Sequence, residues 1–303
     1  MTIPFIKYSK IWLTIGAITV LLCLVALIGW RLKPGIDFTG GSLLDVSFAT
    51  NRPDSALVEK IFSQAGFKDT MIQKSGDNEM IIRTNFLSEE QHQAILKKIR
   101  SQFGTNGNVV SEKSFETIGA SVSRQLRQRA IWAIIAVSLG IILYMAYAFR
   151  KVSRPVASWK FGTVAVLAMI HDVILVLGVF AALGHFTGVE VDIAFVVALL
   201  TVLGYSVNDT IVVFDRVREN LQTRRADDFS TMVNNGLNET LMRSINTTLT
   251  VLIPLGALYF IGGPTVHYFA LALFIGMASG AYSSIFIASP LLVLAERYKR
   301  RAV

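Results

Sequence analysis

The sequence holds a single cysteine, Cys23, and it lies inside an apolar run. No disulfide can staple a domain, and no thiol pair or cysteine metal cluster can form. Charge is scarce as well: Asp, Glu, Lys and Arg make up 17% of the chain, against 52% hydrophobic residues and a mean hydropathy of +0.52. A water-soluble fold cannot hide that much apolar surface, so lipid must solvate much of the chain. Also absent are the Gly-x-Ser-x-Gly elbow, zinc-site and phosphate-loop spacings, and the Gly-x-Gly-Asp and Tyr-Asp elements of intramembrane aspartyl proteases. The chain therefore reads as a non-enzyme with no cofactor and no metal. The net charge of +8 does not indicate nucleic acid, because Lys and Arg fall in short clusters beside apolar runs rather than along one basic face.

Long apolar runs are what the sequence has in quantity. Residues 11–30 carry no charge over twenty positions, the length a hydrocarbon core of about 30 Å requires at a helical rise of about 1.5 Å per residue. Lys7 and Lys10 precede this run as in a signal peptide, but it is too long for one and no Ala-x-Ala site follows, so it is expected to stay as an anchor. Further spans are expected at 130–149, 161–183, 193–214, from 237 or 244 to 261, and at 268–294, the last four forming two hairpins.

Lys and Arg are retained in short cytoplasmic loops. Here they sit at Lys7 and Lys10, at Arg150, Lys151, Arg154 and Lys160, at Arg216, Arg218, Arg224 and Arg225, and at Arg297, Lys299, Arg300 and Arg301. The loops 184–192 and 262–267 have neither residue. Both termini are thus expected in the cytoplasm, with a cytoplasmic loop over 215–236.

Residues 31–128 carry charges of both signs and should form a water-exposed domain. The segment 42–48 alternates as a strand, Leu57, Val58, Ile61 and Phe62 have helical spacing, and 71–74 and 80–84 flank Gly76-Asp77-Asn78 as a hairpin. Ser88 starts a helix with Glu90 and Gln91 in its first turn and Ile95, Leu96 and Ile99 as its stripe, and 109–118 closes the domain as a strand. The order β-α-β-β-α-β is the ferredoxin-like arrangement. The expected fold is an α-helical membrane protein of six transmembrane helices with one extracytoplasmic α+β ferredoxin-like domain: 1–30 the N-terminus and first span, 31–128 the outer domain, 129–303 the remaining five helices. The outer domain is read equally as a rigid spacer or as a surface for an extended peptide.

Ionisable residues inside a span cost about 2.5 to 3.5 kcal/mol at the helix centre and need a partner or a use. Asp209 lies in the inner half of the fourth span, with Thr201 and Tyr205 before it at four-residue intervals as one polar stripe. It is either a functional carboxylate or an anchor between helices. Arg243 is a boundary charge that snorkels to the interface, unless the fifth helix begins near 237, when it faces Asp209 across the hairpin. His171 and Asp172 sit mid-span; adjacent helical positions differ by about 100°, so they are expected to serve different contacts. Asp172 is read as a proton relay or as the cap of a neighbouring helix, His171 as a buried hydrogen-bonding residue, and Asn208 as helix–helix glue. In the sixth span Ala272, Gly276, Gly280, Ser284 and Ala288 form a small-residue ridge that packs either within the chain or against a homologous partner. Pro254, followed by Gly256, is expected to kink the fifth span.

Three motifs carry a family resemblance. Gly35-Ile36-Asp37-Phe38-Thr39-Gly40-Gly41 follows the first span, Met169-Ile170-His171-Asp172-Val173 lies in the third, and the run from Gly204 to Asn220, containing Asn208-Asp209-Thr210 and Phe214-Asp215-Arg216, ends the fourth. In that order and topology they resemble the SecD/SecF family of the resistance-nodulation-division superfamily, over the whole chain; Ile170 stands where the family has Ala. Gly35, Asp37, Gly40 and Gly41 match its signature. The resemblance implies a half-transporter in the bacterial inner membrane, paired with SecD, associated with the SecYEG channel and YajC, that uses the proton motive force to move preproteins. It implies that Asp209 is the proton-coupling aspartate and Arg243 the functional arginine; should Asp209 prove structural, Asp172 is the next candidate for coupling. The alternatives are a stand-alone half of a proton-driven efflux or lipid transporter, and a passive scaffold, which would leave the buried charges without a use.

Overall fold

The computed structural model describes residues 2–105, 107–150, 158–223 and 228–301. Chain order begins with helix α1 (Ser9–Trp30), then a short turn of helix α2 (Ile36–Thr39), strand β1 (Gly41–Phe48), helix α3 (Ser55–Gln64), strands β2 (Met71–Ser75) and β3 (Glu79–Thr84), helix α4 (Glu89–Phe103) and strand β4 (Val110–Ile118). Helices α5 (Ala120–Ala148), α6 (Ser158–Thr187), α7 (Ile193–Thr223), α8 (Phe229–Ile261) and α9 (Pro264–Ser283) follow, and a π-helical stretch, Ser284–Ala288, joins α9 to α10 (Ser289–Arg301). Residues separate into two compact units, Pro34–Ala130 and the remainder, Met1–Lys33 with Ile131–Val303.

In the first unit the four strands form one antiparallel sheet of order β2-β3-β1-β4, the expected ferredoxin-like order. Alternation places Leu44, Val46 and Phe48 of β1 beside Met80 and Ile82 of β3 on one face, under Val58, Ile61 and Phe62 of α3 and Ile95, Leu96 and Ile99 of α4. Helix α4 starts as its sequence requires: Ser88 Oγ accepts from the Gln91 amide at 3.3 Å, and Gln91 Oε1 accepts from the Ser88 amide at 2.9 Å. Gly40 and Gly41 turn the chain from α2 into β1 with φ of 74° and 121°. A Cβ on Gly41 would stand 2.6 Å from the Thr84 carbonyl oxygen, so this glycine answers to sterics as well as to φ.

Among the described residues six helices are long and apolar enough to cross a membrane. Their apolar windows are buried to very different extents: 56% for α6 and α7 and 61% for the span built from α9 and its continuation, but 17% for α1 and 11% for α5 and α8. Helices α6, α7 and α9 therefore form the interior and α1, α5 and α8 the margin. Two aromatic and aliphatic clusters fill the interior, one around Phe149, Phe161, Phe214 and Phe229, the other around Phe180, Phe195, Val202 and Leu273. Cys23 is a packing residue: a Cβ on Gly178 of α6 would lie 2.3 Å from the Cys23 Cβ, so α1 and α6 meet at close backbone distance.

The helices run past the apolar runs that announce them. Helix α5 begins ten residues before the expected 130, and α8 begins at Phe229 rather than at 237 or 244. The loop expected over 215–236 is mostly helical, because α7 continues to Thr223. Phe229, Val233 and Leu237 are buried against the end of α7, where a Cβ on Gly236 would stand 3.0 Å from Val217 Cγ2. The reason is amphipathicity: polar residues recur here with a buried apolar stripe, and hydropathy averaged over a window cannot see the stripe. Lys151, Arg154, Arg224 and Arg225 lie outside the described residues. The chain's start is tied to α8, with Ile3 bonded through its amide and carbonyl to Asn238 and through its carbonyl to Asn234. Pro254 sits inside a continuous α8.

The segment 36–124 made alone should fold as a monomer with mixed helix and strand by circular dichroism; a random-coil spectrum would contradict an independent domain. In it, Gly41→Ala should cost about 1 to 3 kcal/mol on denaturant unfolding, more than Gly66→Ala, where φ is 93° but nothing lies within 4 Å of a Cβ. Equal losses would mean that the carbonyl contact at Gly41 carries no weight.

Candidate functional site

Among the described residues three carboxylates are buried in the membrane unit, Asp172, Asp209 and, in α10, Glu296; the surroundings of the first two differ. Asp172 of α6 is fully buried and accepts four hydrogen bonds. Ser279 Oγ (2.6 Å) and His171 Nδ1 (3.0 Å) meet Oδ1, and Ser206 Oγ (2.5 Å) and Ser283 Oγ (2.7 Å) meet Oδ2. An ionised carboxylate has about four lone-pair sites, and here all are used. Three helices converge on this one group: α6 supplies it, α7 gives Ser206, and α9 gives Ser279 and Ser283.

This corrects two expectations. His171 and Asp172 do not serve separate contacts; their side chains bend toward each other across the angle between adjacent positions. Asp172 does not cap a neighbouring helix either, since its donors are hydroxyls in mid-helix.

Asp209 of α7 is 6% exposed and more sparsely bonded. Its Oδ1 accepts from Ser244 Oγ of α8 at 2.9 Å. Its Oδ2 is buried and makes no hydrogen bond of good geometry among the described residues, although the Ser284 hydroxyl, bonded to Thr210, lies near the carboxylate. One turn away Tyr205 Oη donates to Thr248 Oγ1 at 3.1 Å, so α7 and α8 are joined by two polar rungs, Asp209–Ser244 and Tyr205–Thr248. Thr201, the third member of the expected stripe, is exposed and bonds back to the Val197 carbonyl.

Arg243 does not face Asp209 in an ion pair. It lies well inside α8, as an early start of that helix requires, but the inward position goes to Ser244 and the guanidinium lies on the exposed face. Its charge reaches Asp209 only at longer range. Asn208 is exposed too, so it does not join helices within the described chain.

The small-residue ridge packs within the chain, against α7. A Cβ on Gly276 would stand 2.2 Å from Val202 Cγ2, and one on Gly280 would stand 3.1 Å from the Ser206 Cα. Ser284 Oγ is 2.9 Å from Thr210 Oγ1, on the residue after Asp209. The π-helical stretch begins at Ser284, and Ser289 Oγ returns to the Ser284 carbonyl at 3.1 Å. Single π turns inside α-helices gather at functional sites. This one lies where the ridge meets the neighbourhood of Asp209.

Sequence reasoning missed the hydroxyls: Ser206, Ser244, Thr248, Ser279 and Ser283. The signal available was spacing, since Ser279 and Ser283 are one turn apart and Ser206 lies one turn from Thr210. A serine inside a span can satisfy itself on its own helix backbone, however, and attracts no notice beside an aspartate.

Six spans, a ferredoxin-like domain and buried carboxylates held by hydroxyls define a polytopic α-helical membrane protein with ionisable groups at its core. The family described as protein export membrane protein SecD/SecF, C-terminal, matches residues 98–298, and the SecD/SecF GG motif matches residues 26–51. The chain is 44% identical to the protein translocase subunit SecF of Thermobaculum terrenum over 285 residues, covering 89% of this chain and 86% of that one. It is 36% identical to SecF of a Synechocystis strain, covering 96% and 93%. The crystal structure of SecDF, a translocon-associated membrane protein from Thermus thermophilus, superposes with a TM-score of 0.83 at 31% identity. That match covers 99% of this chain but 39% of the SecDF chain, so the protein spans about two-fifths of that length. A structure of SecDF in its super-membrane-facing form gives a TM-score of 0.67 at the same identity. The chain belongs to the SecF group of the SecD/SecF family.

If the ridge sets the distance between α7 and α9, Gly276→Ala should lower thermal stability in detergent by about 1 to 3 kcal/mol through overpacking. Val202→Ala in the same chain should relieve most of that loss, because the two substitutions share one contact. Additive losses would show that Gly276 and Val202 are not coupled.

Proposed function

We propose that this chain is the SecF half of a membrane unit that pairs with SecD and uses the proton motive force to promote preprotein translocation through the SecYEG channel, with YajC as a further associate. The names of its relatives support the subunit role. Pairing is supported by a polar outer face on α7 and α8. Thr201, Asn208, Arg243, Asn246, Thr247 and Thr250 are all exposed there in the isolated chain. Such a face is costly against lipid, and a second helical half would cover it.

The observation that carries the coupling role is the free acceptor on Asp209. Its Oδ2 is buried and unpartnered while Oδ1 holds Ser244, so a proton can add at Oδ2 without breaking the contact to α8. Arg243 precedes Ser244, about 100° round the helix. A turn of α8 would replace the neutral hydroxyl by the guanidinium and favour the ionised carboxylate. Proton occupancy of Asp209 would then bias two positions of α8 against α7. A proton crossing 100 mV supplies about 2.3 kcal/mol, enough to shift a two-state equilibrium more than tenfold.

Asp209→Asn keeps the size and the bond to Ser244 but cannot titrate. It should assemble normally with SecD yet lose the increment in preprotein export that an imposed proton gradient gives to vesicles. Arg243→Lys should be impaired less than Arg243→Ala. A full gradient-dependent increment in Asp209→Asn would make Asp209 structural and leave Asp172 as the next site.

In the proposed orientation both termini are cytoplasmic and the ferredoxin-like domain lies outside the cytoplasm, as the Lys and Arg distribution supports. With Cys23 replaced, single cysteines in that domain, in 184–192 and in 262–267 should react with impermeant thiol reagents in intact cells, and cysteines near Arg154 or Arg225 should not. Labelling of both sets would overturn the orientation.

A further inference from the structure

We propose that a cavity between α1, α6 and α9 is a hydrated vestibule and that His171 passes protons from it to Asp172. The proposal rests on the proton-coupled reading above and adds to it an access point and a relay residue. The cavity measures about 390 Å³ and is lined by Ile15 and Thr19 of α1, His171 and Leu175 of α6, and Phe274, Ser279 and Tyr282 among the residues of α9. Most of this lining is apolar, but four polar side chains reach it, and the state of each can be worked out from its bonds.

Thr19 Oγ1 donates to the Ile15 carbonyl at 2.9 Å, Tyr282 Oη to the Trp12 carbonyl at 3.3 Å and Ser279 Oγ to Asp172 at 2.6 Å. All three hydroxyl hydrogens are committed, leaving only lone pairs for the cavity. His171 is 6% exposed, and its Nε2 is buried with no partner among the described residues. Asp172 already accepts three hydroxyl bonds, so as a carboxylate it takes the fourth from Nδ1–H. With Nδ1 carrying that hydrogen, the ring in its neutral form has its lone pair at Nε2. Four acceptors and no donor line the space, and the occupant that matches is a small molecule rich in donors: water, or hydronium. A water occupies about 30 Å³ of liquid and needs two to four polar partners to enter such a site; both conditions are met.

Hydronium in the vestibule gives its proton to Nε2 and leaves as water. The imidazolium then gives its Nδ1 proton to Asp172 Oδ1 along their existing hydrogen bond, and the Ser279 hydroxyl, which donates to that same oxygen, is left bonded to a neutral carboxyl and held more weakly. The products are a neutral carboxyl and a neutral ring protonated at Nε2, and the reverse sequence returns the proton. The titratable groups nearest this path are Tyr282 of α9, whose ring centroid lies 6.3 Å from that of His171, Cys23 further along α1, and Asp209 of α7 beyond Ser206. None of the residues lining the cavity is Lys, Arg, Asp or Glu.

The test uses the full chain in its SecD-containing complex, in vesicles. Ala278 lines the cavity, and Ala278→Cys in a Cys23→Ala background should react with a charged methanethiosulfonate, whereas Leu22→Cys on the exposed face of α1 should not. An unreactive Ala278→Cys would mean a dry cavity and would overturn the proposal. His171→Gln should lower the gradient-dependent export increment about tenfold or more, the scale of a lost proton-transfer group, and alter its dependence on pH. A wild-type increment and pH profile in His171→Gln would also overturn it, while leaving the role of Asp209 intact. If the wild type itself shows no gradient-dependent increment, it is the coupling reading that fails. Should His171→Gln fail to assemble, Ala278→Leu, which fills the vestibule, must reduce the increment; an unchanged increment there would defeat the proposal.

Discussion

The membrane unit is organised around the carboxylate of Asp172. A charge in the hydrocarbon region is tolerated only when its desolvation is offset by close and complete hydrogen bonding, and Asp172 meets that condition with three serine hydroxyls and an imidazole. Serine is short, so its hydroxyl reaches a neighbouring helix only where the backbones nearly touch. Gly276 and Gly280 provide that approach between α9 and α7. The ridge and the serine cluster are thus one device: the glycines set the distance, and the hydroxyls exploit it. Lipid supplies no hydrophobic force between helices, so packing and these bonds must hold α6, α7 and α9 together.

The seam between α7 and α8 is built differently. It has two polar rungs rather than a saturated hub, and one oxygen of Asp209 has no partner. Helix α8 is also marginal, with 11% of its apolar window buried. At its polar end it is held by the chain's own start through Asn234 and Asn238, and by the ion pair of Arg216 with Glu239 at 2.6 Å. An element anchored at one end and lightly bonded along its length can shift at lower cost than one locked through a four-bond centre.

How much of this was legible in the sequence followed from the kind of force involved. Hydropathy and length located all six spans, and alternation with a capping box gave the β-α-β-β-α-β order of the outer domain. Helix ends were misplaced at α5, α7 and α8, because beyond the apolar core those helices are amphipathic and average to polar. The pairing of His171 with Asp172 was misjudged from backbone angles alone, although two flexible side chains can bridge about 100°. Arg243 was left either at the boundary or inside α8, and the early start of that helix puts it inside; which of residues 243 and 244 points inward is decided by the rotation of the whole helix, a tertiary fact. The serines were passed over because a hydroxyl buried in a helix has two outlets, its own backbone or a neighbour, and only the packed structure chooses between them.

The two carboxylates therefore pose different problems to a proton. At Asp209 an oxygen is vacant, so protonation changes the charge before it changes any contact. At Asp172 every lone pair is occupied, so a proton arrives along a bond already made or displaces a hydroxyl, and either way the neutral carboxyl holds its serine donors more weakly, which loosens α6 against α9 or α7. Ser206 and Thr210 lie one turn apart on α7, the first bonded to Asp172 and the second to Ser284 at the start of the π-helical stretch. Thr210 also donates to the Ser206 carbonyl at 3.1 Å. A shift of Ser206 away from a protonated Asp172 would consequently be passed along α7 to the residue next to Asp209 and to the irregular turn of α9. In such an arrangement charge at one site and packing at the other are linked through a single helix, and no continuous chain of water between the two carboxylates is required.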